Sequence, residues 1–319
     1  MMLRNTYFLM LSLFVGIILM SCDHKELCFD HAHTADVKVE FDWSDSPYAH
    51  PVSMTLYLFP KDTGEPLRYD FGGRNGGMAR IPIGSYSAIC MNGDTENILC
   101  KDVSAFHTFE ISTKSAELLY PIATLGVRSD TAPRAEGTST ERIALPPDEL
   151  WTGFSNEVFQ LGGGFPSEIA LKPKLSIYNL KFVIEHVVNL KYISGVCASI
   201  SSVAGGYLPG RRVLSREIVT VPFDMQASSD NLTLTGEVRI FGHCHEYVKR
   251  HILTVYAILS DGTRWYHTFD VTDKLHACDD MTAMEIRLSE LQFPKPIVNG
   301  GGFHPQVDEW QEIDINIDM

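Results

Sequence analysis

The chain has 319 residues, is 45% hydrophobic and carries a formal net charge of −14. That length suits two domains, and the apolar content suffices for two cores. The negative charge, with no Lys or Arg cluster to offset it, repels phosphate backbones and argues against a nucleic-acid partner.

The chain opens on its most specific signal. Arg4 supplies a positive charge, Tyr7 to Met20 an apolar run, and Ser21 a small residue directly before Cys22. That order reads as a lipoprotein signal peptide over residues 1–21, cut before Cys22, whose thiol already carries a diacylglycerol with acyl chains of the palmitate kind. Met20 is a loose fit to the usual motif, and the competing reading is an ordinary secretory signal. The run is short for a membrane span, which needs about 20 apolar residues. After Cys22 the longest apolar stretch is Ile252 to Leu259. On this reading, lipid alone attaches the protein to a membrane.

Residues 22–34 are polar and irregular, as suits a tether. Val37, Val39, Phe41 and Trp43 then alternate with polar residues, the period of a strand with one wet face. Met54, Leu56 and Leu58 continue the alternation up to Pro60, and Arg74-Asn75-Gly76-Gly77 reads as a hairpin turn. Strands are expected at 79–83, 84–92, 106–112, 116–125, 158–161 and 169–171. Between them, 128–142 reads as an open polar loop, and 147–151 as the start of a short helical turn. Lys172-Pro173-Lys174 marks the domain boundary, giving domains over 35–172 and 173–319.

In the second half, Leu180, Phe182 and Ile184, then Val196, Ala198 and Ile200, resume the alternation. A break follows at Gly205 to Gly210, and Leu232, Leu234, Val238 and Ile240 are expected to share one face. Residues 252–259 and 264–271 flank the turn Ser260-Asp261-Gly262-Thr263 as a hairpin. A last alternating run is Ile313, Ile315 and Ile317. Short strands at this spacing predict an all-β chain of two β-sandwich domains in tandem.

Seven cysteines are present. Beyond Cys22, an exported chain can form disulfides, and Cys90 with Cys100 is a candidate bridge between neighbouring strands. Cys197 reads as a small buried hydrophobe. No CxxC pair suggests zinc or redox chemistry. His245 and His251 flank a protease-like run but lie six residues apart, not the four that share a helical face. His243 and His245 share a strand face, as do His31 and His33, and both pairs read as polar surface. No nucleophile elbow, P-loop or dinucleotide fingerprint occurs, so neither an enzyme nor a cofactor or metal site is expected. Trp151, Phe154, Trp265, Tyr266 and Trp310 could instead form a sugar-stacking platform, which makes surface glycan binding the alternative function.

Several segments together carry a family resemblance. Cys22 is followed by Asp23-His24-Lys25-Glu26-Leu27-Cys28, then Phe41-Asp42-Trp43, Leu56-Tyr57-Leu58-Phe59-Pro60 and Gly84-x-Tyr86. Later come Ala204-Gly205-Gly206-Tyr207-Leu208-Pro209-Gly210 and Val307-Asp308-Glu309-Trp310. The arrangement resembles the fimbrillin-related lipoproteins of Bacteroidetes, in a branch close to minor fimbrial anchor and accessory subunits. The resemblance implies two transthyretin-like β-sandwich domains on a lipid anchor at the outer membrane, facing the cell surface. It also implies fimbrillin-like pilins as partners, and a role in anchoring, capping or limiting a fimbrial polymer.

The resemblance further implies partners that assemble by strand exchange: fimbrillin-like pilins polymerise this way, some after cleavage behind an arginine in the N-terminal domain, whereas anchor-type relatives generally keep that region uncut. The 128–142 loop offers Arg128, Arg134 and Arg142, with Arg134 as the candidate processing site. Asp130-Thr131-Ala132 resembles a short O-glycosylation acceptor. Ile313, Ile315 and Ile317 are the candidate strand-exchange segment, because an open sheet edge accepts a strand through main-chain hydrogen bonds. The competing reading is the last strand of its own sandwich.

Overall fold

A computed structural model describes residues 34–62, 64–161, 168–243, 250–277, 284–296 and 309–313. The strands of the first half are β1 (Thr34–Phe41), β2 (Met54–Pro60), β3 (Leu67–Phe71), β4 (Gly76–Pro82), β5 (Gly84–Asn92), β6 (Ile98–Lys101), β7 (Glu110–Thr113), β8 (Arg142–Ile143), β9 (Trp151–Leu161) and β10 (Glu168–Leu171). Then come β11 (Lys174–Leu175), β12 (Tyr178–Glu185), β13 (Ile193–Ala204), β14 (Gly206–Leu208), β15 (Val213–Leu214) and β16 (Ile218–Asp224). The last are β17 (Gln226–Ala227), β18 (Leu234–Ile240), β19 (Ile252–Leu259), β20 (Arg264–Asp270), β21 (Met284–Ser289) and β22 (Trp310–Glu312). A single short helix, α1 (Thr272–His276), is found among the described residues, with 3-10 turns such as Tyr120–Leu125. The architecture is all-β. Among the described residues, no helix is long and apolar enough to cross a membrane.

In the first sandwich the sheet β10-β1-β4 faces the sheet β11-β9-β5-β2-β3. Val37, Val39 and Phe41 of β1 meet Leu56 and Leu58 of β2 in one core, as the alternation predicted. β1 is a central strand, parallel to β10 on one side and antiparallel to β4 on the other. β5 does not alternate, because both of its faces are buried. Tyr86, Ala88 and Cys90 enter the first core, while Ile89 and Met91 join Phe59, Phe109 and Ile111 on the opposite face.

That opposite face is covered by a sheet that draws on both halves of the chain, ordered β15-β14-β7-β6. Gly206 pairs with Ser112, and a Cβ on Gly206 would stand 2.5 Å from the Ile111 carbonyl oxygen. The glycines of 205–210 therefore permit close approach of two backbones, rather than simply interrupting a strand. The division expected at residue 172 leaves strands from either side of it in this one sheet.

The second sandwich stacks β17-β18-β12-β21 on β22-β20-β19-β13-β16-β8. Its core is built on Phe182 against Phe223, ring centroids 5.5 Å apart, with Leu180, Ile184, Val238, Ile240, Leu253 and Val255 around them. The β19–β20 hairpin forms as predicted.

Five local expectations need correction. The strand expected at 106–112 is confined to Glu110–Thr113, and residues 106–108 form a turn. Residues 116–125 are not a strand: Pro121 has no amide to donate to a ladder, and a 3-10 turn forms at Tyr120–Leu125. No helical turn starts at 147–151. Its Asp148 carboxylate accepts the amides of Glu96 and Asn97 at 2.8 and 2.6 Å, and Trp151 already begins β9. Leu232 lies outside β18 and is exposed, unlike Leu234, Val238 and Ile240. Cys90 and Cys100 form no disulfide. Cys90 points into the first core, where burial pushes its thiol up to about 12. The Cys100 sulfur, on the neighbouring sheet, contacts Met91 Sδ at 3.7 Å. Cys197 is buried, as expected.

Candidate functional site

An exposed sheet edge is the surface on which one β protein most readily takes up another's strand, and the edges here are unequal. At the β21 edge, Glu285 and Arg287 point outward and are ion-paired with Lys181 and Glu185 of β12. Such a charged rim disfavours an added strand. At the far edge of the six-stranded sheet, β20 is covered instead by β22, a parallel strand of three residues. Its ladder runs Arg264↔Trp310, Trp265↔Gln311 and Tyr266↔Glu312. The Ile313 amide then donates to the Tyr266 carbonyl at 2.9 Å, and the Tyr266 hydroxyl to Glu312 Oε2 at 3.0 Å. Ile313 itself is 6% exposed and part of the second core. Of the candidate strand-exchange segment only Ile313 is described, and it directly follows β22 with its side chain in the core of its own sandwich. Ile315 and Ile317 lie outside the described residues, as does Cys22.

The stretch read as an open polar loop is a strap folded onto the second sandwich. Ala132 of this stretch packs, beside Leu118, Leu119 and Ile122 of the preceding segment, over Cys197, Tyr256 and Ile258 on the outer face of the six-stranded sheet. The buried Tyr256 hydroxyl, whose pKa is raised chiefly by desolvation, donates to the Pro133 carbonyl at 2.7 Å. Arg134 is held by the carbonyls of Ser139 (3.1 Å) and Glu141 (2.8 Å) and by Thr220 Oγ1 (3.3 Å). Arg142 makes two hydrogen bonds to Glu217, and Arg128 is an exposed partner of Asp130. Of the three arginines, Arg128 offers itself most openly to a protease. The sequence pattern hides the strap because what it buries is small or polar: Ala132, Ala135, Thr138 and Glu141.

The aromatic residues considered as a glycan platform turn inward. Trp151 meets Trp43 edge to face at 5.9 Å against the first core. Trp265 packs on the second core, and Trp310 lies against Tyr256 at 5.4 Å. Phe154 is covered by the Arg212 guanidinium at 4.4 Å. Phe154 and Arg212 line a cleft of about 1010 Å³ between the two halves, together with Lys172, Tyr178, Tyr207 and His243.

At His243, which lines this cleft, three histidines converge from three elements. His243 follows β18, His251 immediately precedes β19, and His276 ends α1. One nitrogen of each lies within 4.8 Å of the others. His251 Nε2 and His276 Nε2 are 3.1 Å apart, and the His243 ring stacks on His276 at 4.9 Å and 22°. His243 and His251 are buried and His276 is half-buried. Desolvation is the main cause that lowers the His251 pKa, so its neutral form is favoured. His243, expected with His245 as polar surface on a strand, is instead buried beyond the end of β18, and His245 lies outside the described residues. No local signal marks His276, because only the topology joins these positions.

Residues 21–224 match the family model described as "Domain of unknown function (DUF5119)". The chain belongs to this family. It is also 23% identical, over 221 residues, to a Bacteroides ovatus protein described as "Putative fimbrium anchoring subunit Fim4B". That similarity takes in 66% of the chain and 58% of the relative, so the chain spans little more than half the length of the curated protein it matches. A crystal structure of a "putative adhesin" from Bacteroides ovatus shares the fold with a TM-score of 0.61 at 19% identity, covering 88% of this chain and 99% of that one. A second "putative adhesin", from Bacteroides thetaiotaomicron, has a TM-score of 0.50 at 12% identity, over 82% and 93% of the two chains. The resemblance to fimbrial anchor and accessory proteins of Bacteroidetes, read from the residues, therefore stands.

Proposed function

We propose that the chain is a non-enzymatic fimbrial accessory or anchor lipoprotein, held at the outer membrane by acylated Cys22 and contacting a fimbrillin-like pilin. The observation that carries this reading is the sequence similarity to a fimbrium anchoring subunit. Residues 22–33 precede β1, and twelve residues reach at most about 40 Å when extended, enough for the first sandwich to stand clear of a membrane surface. Two or more acyl chains on Cys22 would anchor stably, where a single chain binds only marginally. The two sandwiches, read as transthyretin-like domains, would act as one rigid unit through the sheet they share.

Contact with a pilin is assigned to the β20 edge. β22 holds that edge by a three-residue ladder, so its displacement would free the whole of β20 for a neighbour's strand. The Arg128–Arg142 strap packs on the same six-stranded sheet, and cleavage within it would loosen that sheet's outer face. Deleting the protein in its native host and imaging the cells tests the role. Fimbriae that are shed, or altered in length, are expected. Fimbriae unchanged in attachment, number and length would refute it.

A further inference from the structure

We propose that His243, His251 and His276 form a binding site for one divalent late first-row transition metal ion, with zinc as the reference ion. The inference is independent of the fimbrial reading. Among the described residues three imidazoles make up the donor set, which suits zinc, copper or nickel rather than magnesium or calcium, which take oxygen. Zinc–imidazole bonds of about 2.0–2.1 Å place tetrahedral donors about 3.3–3.4 Å apart. His251 and His276 already stand at 3.1 Å, and the widest separation in the set is 4.8 Å. Binding therefore asks for a movement of roughly 1.5 Å at one ring, not for refolding.

The surroundings hold the ligands in place. His251 Nδ1 faces the Ser201 carbonyl at 3.4 Å, which puts the proton on that nitrogen and leaves the Nε2 lone pair directed at the cluster. The His251 amide donates to Thr272 Oγ1 at 2.8 Å, and the Val271 amide to the His251 carbonyl at 2.9 Å. These bonds fix the start of β19 to the start of α1, so two of the ligands share one stiff corner. The carboxylates of Glu141 and Asp270 act on His251 electrostatically and would offset part of the ion's charge. His243 lines the cleft between the halves, which gives an ion a path inward. A bound ion would tie the end of β18 to β19 and α1, stabilising the folded chain as any ligand of the native state does. A simple N–H···N bond between His251 and His276 also satisfies the 3.1 Å contact, and experiment separates the two.

The full chain, stripped with EDTA and dialysed, is titrated with ZnCl2 by calorimetry, and its thermal unfolding is followed with and without the ion. One zinc per chain is expected, with a higher unfolding temperature that EDTA reverses. His276→Asn, at the half-buried position, is expected to lose both while keeping the wild-type circular dichroism. His243→Gln serves as the ligand variant if His276→Asn does not fold. Replacing His31 and His33 by alanine is expected to change neither result. No zinc bound by the wild type, or equal binding by the cluster variants, would overturn the proposal.

Discussion

Glu141 is the pin of the strap, and its removal should both weaken the second sandwich and expose Arg134. The carboxylate is 6% exposed and accepts three hydrogen bonds, from the Ser202 amide at 3.1 Å, Ser202 Oγ at 2.8 Å and Thr220 Oγ1 at 2.8 Å. Ser202 lies at the irregularity of β13, with φ of 62°, so its amide points away from the regular ladder. In Glu141→Ala the two hydroxyls can turn to other acceptors, whereas the amide cannot. Hydrogen bonds to a charged group contribute about 1.5–3 kcal/mol each, and an orphaned buried donor costs about 1–3 kcal/mol. One full loss and two partial ones give about 3–5 kcal/mol. Urea unfolding followed by tryptophan fluorescence measures the loss, and limited trypsin digestion with mass spectrometry maps the strap. Wild type should be cut at Arg128 before Arg134, and the variant at both. A loss below about 1 kcal/mol with Arg134 still resistant would refute the pinning.

Other sites give independent tests. Gly76 has φ of 87°, and a Cβ there would fall on the Val39 carbonyl, so Gly76→Ala should cost more than about 2 kcal/mol. Gly77→Ala, whose Cβ would lie 3.6 Å from Phe71, is the control and should cost within about 1 kcal/mol by chemical denaturation. The Arg142 guanidinium holds the Glu217 carboxyl below its ordinary 4.5. A lowered folded-state value adds stability above that ordinary value and loses it as pH falls through the lowered one. Glu217→Gln should therefore flatten the fall in urea midpoint as pH drops below that ordinary 4.5. Ile313→Ala empties a buried site and should cost about 2–4 kcal/mol. Deleting residues 309–319 should leave the first sandwich folded, read by amide exchange across β1 and β5.

How far the sequence could be read depended on where each element lies. β1 and the β19–β20 hairpin were legible because a wet face or a turn of Asp261 and Gly262 left its mark. β5, expected over the same residues 84–92, and β13, expected from Val196, Ala198 and Ile200, were also legible, although both strands bury residues on both faces. The sheet joining the halves was hidden, since its pairing of Ile111 with Tyr207 spans nearly a hundred residues. Composition misled at 128–142, where polar residues bond inward to backbone carbonyls. The histidine cluster could not be seen at all, because its members stand at the ends of three elements that only the finished topology brings together.

The proposed role depends on contact with a fimbrial subunit through the β20 edge. A photo-crosslinking residue placed at the exposed Glu312, in the full chain and in the native host, tests it most directly. Mass spectrometry should identify a fimbrillin-like subunit joined at this position, and Ile313→Asp should change its yield. Capture of outer-membrane glycan transporters with no fimbrial subunit would contradict the account and favour polysaccharide binding.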